Sequence, residues 1–75
     1  MSKRLPSLRA QDIEKVLKKI GFFPVRQKGS HRCFKHVDGR FTLVPIHGGE
    51  EIGRGLLRQI LKEIELTPEE FAKYV

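Results

Sequence analysis

A short polar run near the middle of the chain has the residue types that acid–base chemistry on a phosphodiester needs. The run Lys28-Gly29-Ser30-His31-Arg32 places an imidazole between two cations. An imidazole exchanges its proton near neutral pH, and Lys and Arg side chains hold phosphate oxygens. These residue types make His31 a candidate catalytic base or acid and Lys28 and Arg32 candidate phosphate contacts. A lone histidine on a strand is by itself more often a solvated or core-edge residue, and that alternative stays open at this point. Ser30 would add a positioning hydrogen bond, and Gly29 would position the turn.

His47 is the candidate for a second proton-transfer group, which a leaving oxygen would need. A two-residue turn at Asp38-Gly39 would pair His31 with Ile46. A three-residue loop would instead place His31 opposite His47. Both registers make His47 a strand-end neighbour of His31, whereas His36 lies near the hairpin tip. The alternative that His47 only packs at the glycine-rich exit of the strand stays open.

Charge and composition favour a polyanionic partner. Fifteen Lys and Arg against nine Asp and Glu give a net charge of +6, which attracts nucleic acid before an anionic membrane or an acidic protein. No stretch is long and apolar enough for a membrane span or a signal peptide, so we predict a cytoplasmic protein. The single cysteine, Cys33, and three His at unrelated spacings fit no standard zinc pattern. We predict no metal and no cofactor.

Two longer helices and a short terminal one are predicted to support this site. Apolar residues at i, i+3, i+4 and i+7 predict a helix from Ala10 to Ile20, with Gly21 ending it. The same spacing predicts a helix from about Gly53 to Ile64, with Leu56 widening its apolar stripe. Thr67-Pro68-Glu69-Glu70 has the pattern of a capping box and predicts a short third helix.

Between the longer helices, the sequence predicts three antiparallel strands over Phe22–Lys28, His31–Val37 and Phe41–Ile46. Both helices would share one face of this sheet, which makes an α+β fold of two layers in a single domain over residues 1–75. A domain this small without Trp needs most of its aromatic residues for the core. We therefore assign Phe22, Phe23, Phe34 and Phe41 to the core rather than to base stacking.

Several of these segments, taken in order, resemble the HicA (YcfA-like) family of messenger RNA interferase toxins. They are Gly21-Phe22, Lys28-Gly29-Ser30-His31, Phe34, Asp38-Gly39-Arg40 and Val44-Pro45-Ile46-His47-Gly48-Gly49-Glu50-Glu51. The resemblance implies a double-stranded-RNA-binding-domain-like fold with the order α-β-β-β-α. It further implies the toxin of a type II toxin–antitoxin system, a metal-independent endoribonuclease acting on single-stranded messenger RNA. A HicB-type antitoxin would cover the active site.

Two other functions suit the same element order and charge. The first is a non-catalytic module of the double-stranded-RNA-binding-domain type. Such modules resemble one another in a Lys-rich start of the second helix, whereas Glu50 and Glu51 would place carboxylates there, which disfavours duplex binding. The second is a protein-interaction domain whose basic surface binds an acidic partner without RNA. Cleavage of RNA distinguishes the toxin from both.

Overall fold

The structure, a computed structural model, describes residues 8–46 and 51–75. It has the predicted α+β class, with a three-stranded antiparallel sheet covered on one face by helices in the double-stranded-RNA-binding-domain-like layout. The elements in chain order are β1 (Leu8–Arg9), α1 (Ala10–Lys19), β2 (Phe23–Lys28), β3 (His31–Lys35), β4 (Phe41–Pro45), β5 (Glu51–Ile52), α2 (Arg54–Ile64) and α3 (Pro68–Ala72).

Strands β2, β3 and β4 form the main sheet in that order. A tight turn at Gly29-Ser30 joins the first two strands and pairs Lys28 with His31. Gly29 has a φ of +59°, which a hairpin turn of this length requires at its first loop residue. The pairing between β2 and β3 shifts once, between Pro24 and Arg26. The predicted position of His31, at the start of a strand directly after a tight turn, is confirmed.

The second hairpin has a register that neither sequence prediction gave, because Val37 belongs to the loop. His36 N–H donates to the Arg40 carbonyl over 2.9 Å, and the Asp38 carboxylate accepts the Arg40 backbone N–H over 3.0 Å. Gly39 completes the loop with a φ of +99°. The three-residue loop therefore sets Lys35 opposite Phe41 and His31 opposite Pro45. The predicted pairing of His31 with Ile46 or His47 is wrong.

The helices follow the apolar spacing closely. The four apolar positions of α2 at helical spacing, Leu57, Ile60, Leu61 and Ile64, are buried, but Leu56 is 39% exposed and does not widen the stripe. Helix α3 begins with the predicted capping box, in which Thr67 accepts the Glu70 backbone N–H. None of the helices in the described part of the chain is long and apolar enough to cross a membrane.

The core lies between the helices and the inner face of the sheet, by which we mean the face turned toward α1 and α2. Phe22 and Phe34 are buried as predicted, and Thr42 is the buried polar residue, its hydroxyl donating to Glu63 over 2.7 Å. Phe23 and Phe41 are respectively 42% and 48% exposed, so their assignment to the core is wrong. They lie on the outer face, because side chains alternate between the faces along a strand.

A second, two-stranded sheet was not predicted. Strand β1 pairs with β5 in antiparallel register, Leu8 with Ile52 and Arg9 with Glu51. These strands directly precede α1 and α2, so both helices begin at the same end of the molecule. Strand β5 also keeps Glu51 out of α2, whose first turn contains no acidic residue. Glu51 therefore lies two residues before the N-cap Gly53, near the start of the helix as expected but not in its first turn, and Glu50 lies outside the described residues.

Candidate functional site

His31 lies at the edge of the outer face, the face of the main sheet turned away from the helices. It is the first residue of β3, it is exposed, and its two cross-strand partners are Lys28 on β2 and Pro45 on β4. Directly paired residues share a face, so Lys28 projects on the same side as His31. Within residues 8–46 and 51–75, the His31 ring accepts or donates no hydrogen bond. The structure therefore brings together the predicted base and one predicted phosphate contact.

Arg32 points to the inner face, and the structure does not bring it together with His31 and Lys28. Its guanidinium donates to the Glu14 carboxylate of α1 over 3.0 Å and to Gln27 Oε1 over 3.2 Å. Alternation along β3 sends successive side chains to opposite faces, so neighbours in sequence are not neighbours in space. The predicted phosphate contact by Arg32 beside His31 does not fit this geometry.

The same contacts connect Arg32 to the turn that precedes His31. Gln27 accepts from Arg32 through Oε1, and its Nε2 donates to the Gly29 carbonyl over 3.2 Å. A relay of three hydrogen bonds therefore runs from Glu14 on α1, through Arg32 and Gln27, to the turn. We call these four residues the turn relay.

The structure describes Ser30 but does not describe His47. The Ser30 carbonyl accepts the Ile46 backbone N–H, so the turn also contacts the segment that leaves β4. Within the described residues, the Ser30 side chain forms no hydrogen bond that would define a positioning role. His47 lies outside the described residues, and its role as a second proton-transfer group stays a prediction.

An open groove of about 560 Å³ runs along the outer face from His31 toward the second hairpin. Its basic lining comprises Arg26, Lys28 and Lys35, and none of the described residues that line it is acidic. Sequence analysis missed Arg26 and Lys35 because it grouped residues by closeness in the chain. The period of two along β3 would have placed His31, Cys33 and Lys35 on one face.

The groove also has an apolar floor and wall. Val25, Phe41 and Leu43 line it and are each between 43% and 48% exposed, while Cys33 is 6% exposed at its floor. Phe41 shares a cross-strand row with Lys35 and Phe23, and this row lies four residues along β3 from the His31 row. At about 3.3 Å per residue, the two rows are separated by ~13 Å.

At the opposite end of the sheet, the His36 ring is held by hydrogen bonds and by packing against Phe22. Its Nε2 lies 3.1 Å from the Ile20 carbonyl at the end of α1, and Nδ1 lies 3.1 Å from the Asp38 backbone nitrogen. The ring packs edge-on against Phe22, with centroids 5.1 Å apart. A Cβ added at Gly21, whose φ is +100°, would lie 2.8 Å from His36 Nε2. This end of the sheet is tightly packed around the His36 imidazole.

Asp38 completes the same hairpin. The Arg40 backbone N–H that its carboxylate accepts lowers the pKa of Asp38 below its ordinary value, and the Arg40 guanidinium, 2.8 Å from Oδ2, acts in the same direction. Arg40 also donates to the Ile64 carbonyl at the end of α2 and lies over the Phe22 ring at 5.1 Å. The hairpin is therefore joined to the ends of both helices.

Three findings bear on the identity of the site. Among the residues that the structure describes, no three His, Cys, Asp or Glu side chains are grouped closely enough to hold a metal ion. The chain matches a family model described as "HicA toxin of bacterial toxin-antitoxin" over residues 10–66. A search of the curated proteins finds no match. The matched segment contains β2, β3 and β4, and with them His31 and the groove.

Proposed function

This chain belongs to the HicA toxin family of bacterial toxin–antitoxin systems, and from that premise we propose that it is a metal-independent endoribonuclease that cuts single-stranded messenger RNA in the cytoplasm. One observation carries the proposal. An exposed imidazole, His31, has Lys28 directly across from it, at a groove whose lining, among the residues that the structure describes, is basic and contains no acidic side chain. We propose that the activity resides in one domain formed by the whole chain.

In the proposed reaction, His31 acts first as the base. It removes the proton from a ribose 2′-hydroxyl, and the 2′-oxygen attacks the adjacent phosphorus. The bond from phosphorus to the 5′-oxygen breaks, and that oxygen takes a proton from an acid, for which His47 is the proposed group. The products are a 2′,3′-cyclic phosphate and a 5′-hydroxyl. Lys28 stabilises the charge that develops on the phosphate oxygens.

The remaining site residues have supporting roles in this proposal. Gly29 gives the turn the positive φ that sets His31 at the beginning of β3, and Ser30 adds a hydrogen bond to the substrate. Arg32 acts through the turn relay and not on the phosphate. We further propose that a HicB-type antitoxin neutralises the toxin by covering His31 and the basic outer face, so that antitoxin and RNA compete for one surface.

The first test compares substrates in the absence of available metal. The purified chain is incubated in excess EDTA with single-stranded RNA, duplex RNA of the same sequence and single-stranded DNA. We expect cleavage of the single-stranded RNA alone, products with 2′,3′-cyclic phosphate ends, and no cleavage at a nucleotide whose 2′-hydroxyl is replaced by hydrogen. His31→Ala should lose the activity while keeping the circular dichroism spectrum of the wild type. Activity that EDTA abolishes, or that survives in His31→Ala, would contradict the proposal.

One observation favours a second candidate, a non-catalytic module that binds duplex RNA. Helix α2 begins with Arg54 and continues with Arg58, both exposed, and its first turn has no acidic residue. Glu51 lies before the N-cap and not in this first turn, so the carboxylates do not take the place of the basic residues there. If the wild type cuts no RNA but binds the duplex, and if Arg54→Ala weakens that binding, the second candidate replaces the first.

A further inference from the structure

We propose that the groove on the outer face binds an unpaired nucleobase of the RNA, stacked on Phe41, a short distance along the strand from the bond that His31 attacks. This inference rests on the proposed function and names a subsite of the same surface. It assigns a role in binding to Phe41 and Lys35, neither of which takes part in the proposed chemistry.

The exposure of Phe41 is the first argument. Its side chain is 48% exposed on a strand whose inner-facing neighbours, Thr42 and Val44, are fully buried. A half-exposed aromatic ring beside an open groove costs hydrophobic free energy in the free protein and recovers it when a flat partner covers the ring. Every nucleobase has such a flat face, and stacking on an aromatic side chain tolerates any base sequence.

The charge of the groove is the second argument. Arg26, Lys28 and Lys35 line it with no acidic residue from residues 8–46 and 51–75, and Lys35 is the direct cross-strand partner of Phe41. A cation beside an aromatic ring matches the alternation of phosphate and base in a single strand. Duplex RNA hides its bases within the stack and offers no flat face to Phe41, so the groove selects unpaired nucleotides.

Distance is the third argument. The Phe41 row and the His31 row lie ~13 Å apart on the same face, and both His31 and Phe41 line the groove. A groove of about 560 Å³ falls in the size range of small-ligand sites, which suits an extruded base and its sugar. The base held at Phe41 is therefore not the nucleotide that is cut but one further along the strand.

The experiment measures binding without cleavage. The full-length wild type is titrated against a fluorescent single-stranded RNA whose riboses are 2′-O-methylated, so that no 2′-hydroxyl can attack. Phe41→Ala removes the ring, and Phe41→Leu keeps an apolar side chain that maintains the fold without an aromatic face. The matched control is Val37→Ala, on the same hairpin but 86% exposed and outside the groove.

We expect both Phe41 variants to bind the RNA about tenfold more weakly than the wild type, with Val37→Ala unchanged. Against a second probe with the same backbone but abasic sites in place of bases, all four proteins should bind equally. Unchanged affinity in Phe41→Leu, or an equal loss on the abasic probe, would overturn the proposal. If the Phe41 variants bind RNA normally but no longer bind a co-expressed antitoxin, the groove is a protein-docking surface instead.

This titration and the cleavage assay on unmodified RNA together separate the present proposal from the proposed function. Failure of the wild type to cut unmodified RNA would contradict the ribonuclease proposal but would not contradict base stacking on Phe41. Normal cleavage, together with unchanged affinity of the Phe41 variants for the 2′-O-methylated RNA, would contradict the groove proposal alone.

Discussion

Two histidines five residues apart on one hairpin have opposite environments. His36 is surrounded by packing and hydrogen bonds from α1, the hairpin loop and Phe22, and its side chain is 17% exposed. His31 is exposed on the outer face, and its ring forms no hydrogen bond within the described part of the chain. A group with satisfied hydrogen bonds stabilises a fold, whereas a group that must exchange protons with a substrate needs open access. The contrast gives His36 a structural role and supports the proposal that His31 does the chemistry.

The largest expected effect is on the cleavage rate. His31→Ala should lower kcat/KM by about 100- to 10,000-fold, which is the usual contribution of a positioned acid or base. His36→Ala should stay close to the wild-type rate when assayed at a temperature at which it is fully folded. Rates on one single-stranded RNA, normalised to the folded fraction, give the ratio. Equal losses of rate in the two folded variants would contradict the proposed catalytic role of His31 as distinct from His36.

The second effect is on stability, and here the larger loss is expected for the His36 variant. His36→Ala removes two hydrogen-bonding ring nitrogens and the contact with Phe22, so the free energy of unfolding should fall by about 2 kcal/mol. His31→Ala, at an exposed position, should change it by less than about 0.5 kcal/mol. Urea titrations followed by circular dichroism measure both. A larger loss in His31→Ala than in His36→Ala would show that His31 supports the fold.

How much of the fold the sequence predicts depends on how many residues each apolar pattern spans. The periods of α1 and α2 extend over three turns, so each helix was placed within a residue of its observed bounds. Strands β1 and β5 have two residues each, which is too short for any period to register. The register of the second hairpin depended on whether Val37 enters the loop. That is decided by the hydrogen bonds of Asp38 to Arg40 and cannot be read from residue types alone.

The candidate site was predicted in part. His31 and Lys28 were found from residue types at close spacing, and their pairing across the turn keeps them together. Arg32 was grouped with them by adjacency, although its partner Glu14 is 18 residues away and lies on another element. Phe41 was assigned to the core by a composition argument that counts aromatic residues but not their faces. In both cases the missing information was which face of the sheet a side chain occupies.

The third prediction tests that difference between Lys28 and Arg32 through salt dependence. Each phosphate contact to a single strand contributes about 0.7 to the slope of log affinity against log salt. Lys28→Ala should reduce the slope by about that amount, measured with the non-cleavable RNA. Arg32→Ala should leave the slope unchanged but lower kcat about threefold to tenfold, because the turn relay no longer fixes the position of His31.

Glu14→Gln serves as the control for the relay, since it removes the charge that holds Arg32 and adds no new contact with RNA. It should reproduce a part of the Arg32→Ala loss in kcat. A reduced salt slope in Arg32→Ala would mean that Arg32 contacts phosphate after all, by turning away from α1 when RNA binds.

The smallest expected effect concerns Asp38, and it is present at neutral pH and disappears in acid. Because hydrogen bonds from Arg40 lower the pKa of Asp38 in the native state, the native protein holds this proton less tightly than the unfolded chain does. The carboxylate therefore stabilises the hairpin above the ordinary pKa, and this contribution is lost as the pH falls below about 4. Asp38→Asn should be less stable than the wild type at pH 7, and the difference should shrink toward pH 3. Val37→Ala, beside it in the loop, should differ from the wild type equally at every pH. A gap for Asp38→Asn that does not change with pH would show that the hairpin around His36 depends on the shape of this side chain and not on its charge.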